Sequence, residues 1–299
     1  MLTFVIFLSV TRVGVDAATH NASRSGYSVS TVNVTTRELS YFVSVKETDV
    51  KKYPSVKIYL GKRYINAPSY LINDTTYIPL RALSELAGAT VTFDSRTREA
   101  RVTMAGLDMR VADKSYVVYA NERPIASAMP AMILSDGRMY VPIRSIAKVL
   151  SLTVEWRASR EVILEGEPTP LAHANDFYVS DEVYWLSRVI SAEAQGESLL
   201  GQIAVGNVVQ NRVKSQDFPN TIWGVIFDRK HGVQFSPVAN GTVYRTPTYS
   251  ATLAAKICLE GVSISPDILF FMQPEKSTSS WIPQNRRYAF TIGNHYFFY

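Results

Sequence analysis

Residues 187–213, SRVISAEAQGESLLGQIAVGNVVQNRV, place a carboxylate where apolar side chains are expected. Val183, Leu186 and Ile190 recur at the three- and four-residue steps of a helix's apolar stripe, and Glu193 is the next position on it. Gly196 then breaks the pattern, as expected just past a helix C-terminus. Glu193 is thus expected on the inward face of a last helical turn. A carboxyl group in apolar surroundings resists ionisation, so its pKa rises. An acid still protonated near neutral pH is suited to protonating the leaving oxygen of a glycosidic bond.

Glycoside cleavage ordinarily uses two carboxylates. The candidates for a second are Glu197, Asp217 and Asp228. Glu197 stands beside Ser198 at the start of the next helix and is explained by the helix dipole. Asp217 lies in the turn KSQDFPN and Asp228 precedes the basic pair Arg229-Lys230, so neither setting argues for catalysis. One acid suffices if the substrate supplies its own nucleophile, with Glu193 acting first as acid and then as base.

The elements that would position these groups can be read from the pattern. Residues 198–214 read as a helix with Leu200, Ile203, Ala204 and Val208 on its apolar face, and Asn207 and Asn211 on or beside that face. Buried amides require partners. These two either clamp the loop that carries Glu193 or point into a cleft. Gln234 can donate and accept hydrogen bonds to amide and hydroxyl groups. Phe235 either stacks on a sugar face or belongs to the core, and Ser236 lies on a loop. Trp281 sits in the polar segment KSTSSWIPQNRR, as a glycan platform or as a rim over the core. Arg286 and Arg287 could meet carboxylates or be solvated. His295, in the aromatic strand GNHYFFY, reads as a packed core histidine or as a residue that orients a loop.

Upstream lies an internal duplication. Tyr77-Ile78-Pro79-Leu80-Arg81-Ala82-Leu83 is echoed by Tyr140-Val141-Pro142-Ile143-Arg144-Ser145-Ile146, and YLGKRYI from Tyr59 by YANERPI from Tyr119. Each copy reads strand, strand, short helix, strand, strand, with β-branched runs such as Thr90-Val91-Thr92-Phe93 as strands. Arg81 and Arg144 are expected to pair with nearby acids and lock their helices. EGEPTPLAHAN, with two prolines and no apolar period, reads as a linker.

The chain has 299 residues, enough for two domains, and is 46% hydrophobic, which excludes wholesale disorder. A net charge of +5 favours anionic partners, and no Lys/Arg run on one helix marks nucleic acid. The single cysteine, Cys258, lies in an apolar run and reads as a buried small hydrophobe. The four histidines are scattered and no Cys-x-x-Cys or His-Glu-x-x-His pattern occurs, so neither metal nor other cofactor is expected. Leu2 to Val10 and the small-x-small triplet Val15-Asp16-Ala17 read as an export signal, although no basic residue precedes the apolar run. That run is too short to span a bilayer.

The duplicated region resembles the copper amine oxidase N-terminal-like domain, an accessory module whose name implies neither copper nor amine oxidation here. SAEAQGE, GQIAVGNVVQNRV, Gln234-Phe235-Ser236-Pro237 and Ile292-Gly293-Asn294-His295-Tyr296-Phe297, in that order, resemble the SleB-type spore cortex-lytic cell wall hydrolases. The resemblance implies an α+β chain of two domains, with a duplicated accessory module before a mainly helical, lysozyme-like catalytic domain carrying a small β element. It implies the catalytic glutamate at Glu193 and a cleft-lining segment at Gln234, Phe235 and Ser236; Trp281 and Asn211 complete the expected substrate contacts. The expected boundaries are a signal at 1–18, a lead-in at 19–52, the accessory module at 53–166, a linker at 167–176 and the catalytic domain at 177–299.

The implied activity is cleavage of peptidoglycan between N-acetylmuramic acid and N-acetylglucosamine, in spore cortex lysis during germination or in wall remodelling. A lytic route, in which the muramic acid C6 hydroxyl attacks and a 1,6-anhydro sugar forms, fits the missing second acid. Alternatives are a hydrolytic muramidase or glucosaminidase, and a non-catalytic wall-binding protein. The expected protein is secreted, monomeric and wall- or cortex-associated, with anionic wall polymers as further partners.

Overall fold

A computed structural model of the protein describes residues 48–230, 232–277 and 281–299. The expected signal and most of the lead-in lie outside the described residues. The first part of the chain is built of β1 (Lys57–Leu60), β2 (Arg63–Ile65), β3 (Tyr70–Ile72), β4 (Thr75–Pro79), α1 (Leu80–Leu86), β5 (Thr90–Asp94) and β6 (Glu99–Met104). After β7 (Leu107–Ala112) the same order returns in β8 (Val117–Ala120), β9 (Arg123–Ala126), β10 (Met132–Ile133), β11 (Met139–Pro142), α2 (Ile143–Val149), β12 (Thr153–Arg157) and β13 (Glu161–Glu165). Each copy therefore holds two more strands than the sequence pattern suggests. β3 and β10 are only three and two residues long, too short to show an alternation.

The two copies are interlaced. β4 and β11, the equivalent Tyr-φ-Pro strands, pair antiparallel with Ile78 opposite Val141, and each proline ends its strand and caps the short helix that follows. The first hairpin of copy one joins the last hairpin of copy two, in the sheet order β12-β13-β1-β2, with β1 parallel to β13. The first hairpin of copy two joins the last of copy one through β7, in the order β5-β6-β7-β8-β9. Each copy completes a sheet begun by the other, and one core from Val56 to Leu171 fills the space between them. Arg81 pairs with Glu85 at 3.5 Å on its own exposed helix face. Arg144 is exposed and has no pairing acid among the described residues, so the expectation of a locked helix fails in the second copy.

The second part is mainly helical. It runs through α3 (Ala174–Phe177), α4 (Ser180–Ala194), α5 (Leu199–Lys214), α6 (Ile222–Phe227), α7 (Ser236–Ala239) and α8 (Tyr249–Leu259). β14 (Phe270–Met272), α9 (Trp281–Asn285), β15 (Tyr288–Ile292) and β16 (His295–Phe298) follow, and the three strands pair in the order β14-β16-β15. Side-chain caps start α5, α6 and α8: the Ser198 hydroxyl accepts from Gly201 N–H at 3.3 Å, Thr221 from Gly224 at 3.0 Å and Thr248 from Ala251 at 3.1 Å. α4, α5 and α8 pack on one another around Leu186, Val189, Ile190, Ala204, Val208 and Ala255. Among the described residues no helix is long and apolar enough to cross a membrane.

The stretch read as a linker is pinned rather than loose. Thr169 and Leu171 N–H groups donate to Leu150 and Val149 carbonyls, and the Asn121 amide donates to Leu171 O at 2.9 Å. Beyond it the two parts meet through a buried charge cluster. Arg123 of β9 donates from Nε and Nη2 to the two carboxylate oxygens of Glu260, just past α8, at 2.8 and 2.9 Å. Lys148 Nζ donates to Glu260 O at 2.6 Å and lies 2.8 Å from its carboxylate, and Tyr178 OH donates to the carboxylate at 2.7 Å. The Glu260 side chain is 0% exposed and that of Arg123 6%. Burial alone would push the Glu260 carboxyl up, but its bonds to Arg123, Lys148 and Tyr178 together hold it below the usual carboxylate range.

Candidate active site

Glu193 sits in the last turn of α4, on the side of the helix that carries Leu186, Val189 and Ile190, all fully buried. The helix begins with Asp181 and Glu182 in its first turn, which suits the positive end of the dipole, and ends with the Gln195 N–H donating to Ser191 O. Gly196 follows, but with a negative φ, so it ends the helix without a left-handed cap. Glu193 is half-buried and accepts no hydrogen bond from any described residue. Burial pushes its carboxyl from 4.5 to about 7, against the opposing pull of the Lys276 ammonium. A carboxyl group so placed can give up a proton near neutrality and take one back.

Lys276 lies in the turn after β14, where its N–H donates to Gln273 O at 3.0 Å. Sequence reasoning missed it, because it is one of several charges in a polar stretch, and only the tertiary structure brings it to Glu193.

Glu197 is a correction. Its carboxylate does not simply face a helix N-terminus. It accepts from the Asn294 main-chain N–H at 3.2 Å and the Asn294 Nδ2 at 3.0 Å, at the tip of the β15–β16 hairpin. His295 Nδ1, buried and without a hydrogen-bond partner, is 3.6 Å from the same carboxylate. Burial lowers the His295 pKa, Glu197 raises it and Lys276 lowers it again, and the net direction is down. His295 is therefore a packed histidine, set edge-on to Phe271 with centroids 5.5 Å apart, but not one with a full set of hydrogen bonds. Asp217 is exposed in its turn, and the Asp228 carboxylate accepts from Lys230 N–H at 2.9 Å.

The other expected site residues separate into two groups. Gln234 is half-buried: its Oε1 accepts from Arg212 Nη1 at 3.4 Å and its Nε2 donates to Gly232 O at 3.2 Å. Ser236 is exposed as the first residue of α7, and Trp281 is 50% exposed at the start of α9, with the Arg286 guanidinium 5.1 Å from its ring centroid. Phe235, by contrast, is 2% exposed and packs against Phe271, so its ring belongs to the core and has no open face for a sugar. Asn211 is equally committed: its Nδ2 donates to Ser265 O and Ile268 O, each at 3.0 Å. Asn207 donates to Val262 O and accepts from Ile264 N–H, both at 2.8 Å. The two amides do act as a clamp, but on the loop between α8 and β14 rather than on the turn after Glu193.

Arg212 was not legible as a site residue, since it reads as an ordinary cation in a helix's last turn. It is buried, with its guanidinium 4.8 Å from the Phe218 ring, 5.2 Å from Phe270 and 5.4 Å from Phe235, and its Nε donates to Leu269 O at 2.7 Å. Burial lowers its pKa to about 10, with Asp228 opposing. Arg212 thereby ties α5 to both the Gln234 segment and β14. Among the described residues no three His, Cys, Asp or Glu side chains come together as a metal site.

Comparison with known proteins bears on this arrangement. The family described as Cell Wall Hydrolase matches residues 196–298, beginning three residues after Glu193, and the Copper amine oxidase N-terminal domain matches residues 59–164. A spore cortex-lytic enzyme of Bacillus cereus is 36% identical over 123 residues, 40% of this chain and 45% of that protein. The spore cortex-lytic enzyme of Bacillus subtilis strain 168 is 34% identical over 123 residues, 40% of this chain and 38% of that one. Cell wall hydrolase CwlJ of Oceanobacillus iheyensis is 34% identical over 100 residues, 31% of this chain and 70% of that protein. The chain thus spans less than half the length of these spore cortex-lytic enzymes. Among solved structures, the catalytic domain of the germination-specific lytic transglycosylase SleB from Bacillus anthracis is 35% identical, with a TM-score of 0.37, covering 41% of this chain and 97% of that one.

Proposed function

The chain belongs to the cell wall hydrolase family, and from that premise we propose that it cleaves peptidoglycan glycan strands as a lytic transglycosylase. The observation that carries the reading is Glu193: a half-buried carboxyl, pushed up to about 7, on the end of α4, with no second carboxylate free beside it among the described residues. Glu197, the nearest candidate, is bound to Asn294 and turned away from solvent. The relatives named spore cortex-lytic enzymes support a wall polymer as substrate.

In the proposed reaction the protonated Glu193 donates to the oxygen that links N-acetylmuramic acid C1 to N-acetylglucosamine, and the C1–O bond breaks. The muramic acid C6 hydroxyl attacks C1, and the Glu193 carboxylate takes its proton. The products are a 1,6-anhydromuramic end and a free N-acetylglucosamine hydroxyl, with Glu193 returned to its starting state. Gln234, Ser236 and Trp281 offer the polar and aromatic contacts for the strand. The protein works outside the cell membrane, on wall or cortex.

The test is digestion of purified sacculi by wild type and Glu193→Gln, with muropeptides read by mass spectrometry. Wild type releases anhydro-muramic ends and the variant releases none. Reducing ends would replace the lytic route with hydrolysis, and an active Glu193→Gln would remove Glu193 from the chemistry.

A further inference from the structure

The turn after Glu193 is held by a contact that the proposed chemistry does not itself use. Glu197 bonds to three elements at once. Its N–H donates to Ala194 O at 3.0 Å, closing the end of α4. Its carbonyl accepts from Gln202 Nε2 of α5 at 2.9 Å. Its carboxylate, on a side chain only 8% exposed, accepts twice from Asn294. A carboxylate beside a helix N-terminus is stabilised well enough in water, so its withdrawal from solvent requires the compensating donors that Asn294 supplies.

The hairpin tip is shaped to receive it. Gly293 has φ +56°, and a Cβ there would run into Glu197 Oε2, so this position needs glycine for its backbone and for the close approach. Asn294 supplies a main-chain and a side-chain donor. His295 turns its unpartnered Nδ1 toward the same carboxylate and its ring toward Phe271, which in turn touches Phe235 of the Gln234–Ser236 segment. Lys276, on the turn that follows β14, acts electrostatically on both Glu193 and His295. The contacts of Glu197 therefore run from the helix end that carries Glu193 to α5 and to the C-terminal hairpin.

We propose that Glu197 is a positioning residue for Glu193, acting through a latch with Gly293, Asn294 and His295 that fixes the end of α4 against the C-terminal hairpin. The proposal rests on the assignment of Glu193 as the reacting acid. Opening the latch lets the α4 end move relative to the strand-binding surface and admits water to Glu193. Misplacement of a reacting group by about 1 Å costs on the order of 10²-fold in rate.

The test uses the full chain with Glu197→Ala, Glu197→Gln and Gly293→Ala, the last breaking the latch from the other side. On soluble glycan oligomers, kcat falls about 10²-fold in Glu197→Ala and Gly293→Ala while KM stays within about threefold. Glu197→Gln keeps one acceptor oxygen for Asn294 and lies between. In parallel, the carbon-13 resonance of the Glu193 carboxyl is titrated. The titration midpoint moves down by about 0.5 pH unit or more in the two latch-breaking variants, as water relieves the burial. A kcat within twofold of wild type in both, with the Glu193 titration unmoved, overturns the latch even if Glu193→Gln is inactive. An inactive wild type overturns the activity instead, and the titration still decides the latch. If Glu197→Ala does not fold, Glu197→Gln decides by the same two readings.

Discussion

Arg123→Met tests whether the two parts of the chain form one body. The substitution keeps an unbranched apolar stem but leaves the Glu260 carboxylate, 0% exposed, without its bidentate partner. Lys148 and Tyr178 remain as donors, but Lys148 is itself 31% exposed. Arg123 also gives up its place 3.4 Å over the Phe177 ring and its bond to Ala172 O at 3.3 Å. Removing one partner of a buried, hydrogen-bonded pair costs about 3–5 kcal/mol when nothing else compensates the remaining charge, and the donors left on Glu260 put the expected loss at the lower end of that range. At this chain length that corresponds to a loss of about 10 °C in Tm.

The assay is a double-mutant cycle by thermal and denaturant unfolding. Arg123→Met and Glu260→Met are each strongly destabilising, while the double variant, apolar on both sides, recovers most of the loss. A coupling of about 2 kcal/mol or more is expected. The exposed pair Arg101–Asp108, at 2.8 Å, is the control and shows no measurable coupling. The sign with pH follows from the lowered Glu260 pKa: its contribution is present above the unfolded value, 4.5, and is lost as pH falls through the lower folded value. Additive single variants, each costing under about 0.5 kcal/mol, would show that the pair is hydrated and that the module is not docked on the helical part.

Glu193→Gln is more stable than wild type at pH 8 and equal to it below pH 4.5. Stability is lost as pH rises from the unfolded value, 4.5, where the unfolded chain begins to release the proton first, to the folded value of about 7, by about 3 kcal/mol in all at about 1.4 kcal/mol per pH unit, and paired unfolding curves at the two pH values check this. The rate of glycan cleavage falls as pH rises through about 7, where the acid form of Glu193 is lost, and Lys276→Ala moves that limb of the pH–rate profile upward. Asn207→Ala leaves the Val262 carbonyl and Ile264 N–H buried without partners and costs about 1–3 kcal/mol by denaturant unfolding, with KM unchanged. Gly206→Ala sets a methyl group 2.7 Å from Cys258 Sγ and 2.9 Å from Ile190 Cδ1, and this overpacking costs about 1–3 kcal/mol in the same assay.

Much of the site's scaffold was legible because it is local. The apolar stripe of α4 fixed which side of the helix Glu193 faces, and the serine at 198 marked the start of α5, both through the 3.6-residue period and capping chemistry. The internal duplication was equally plain, since equivalent side chains such as Phe93 and Trp156 fall at equivalent exposed strand positions. Phe235 and Asn211 were misplaced as sugar contacts for the opposite reason. A phenylalanine before a turn and an amide on a helix have the same local signature whether they meet a ligand or the protein's own interior.

By itself the sequence determined the longer elements, such as α4, α5 and the paired Tyr-φ-Pro strand and helix units, and the side of α4 that Glu193 takes, because backbone sterics and periodicity act within a few residues. It therefore determined that one acid, Glu193, would lie inward at a helix end. The tertiary structure alone decided what stands around that acid. It brought Asn294 to Glu197 across 97 residues and Arg123 to Glu260 across 137, and set Lys276 beside Glu193. It also interlaced the two copies so that each completes the other's sheet. The physical reason is that a buried charge or amide requires a partner but does not specify which one. That choice belongs to the packing of the whole chain.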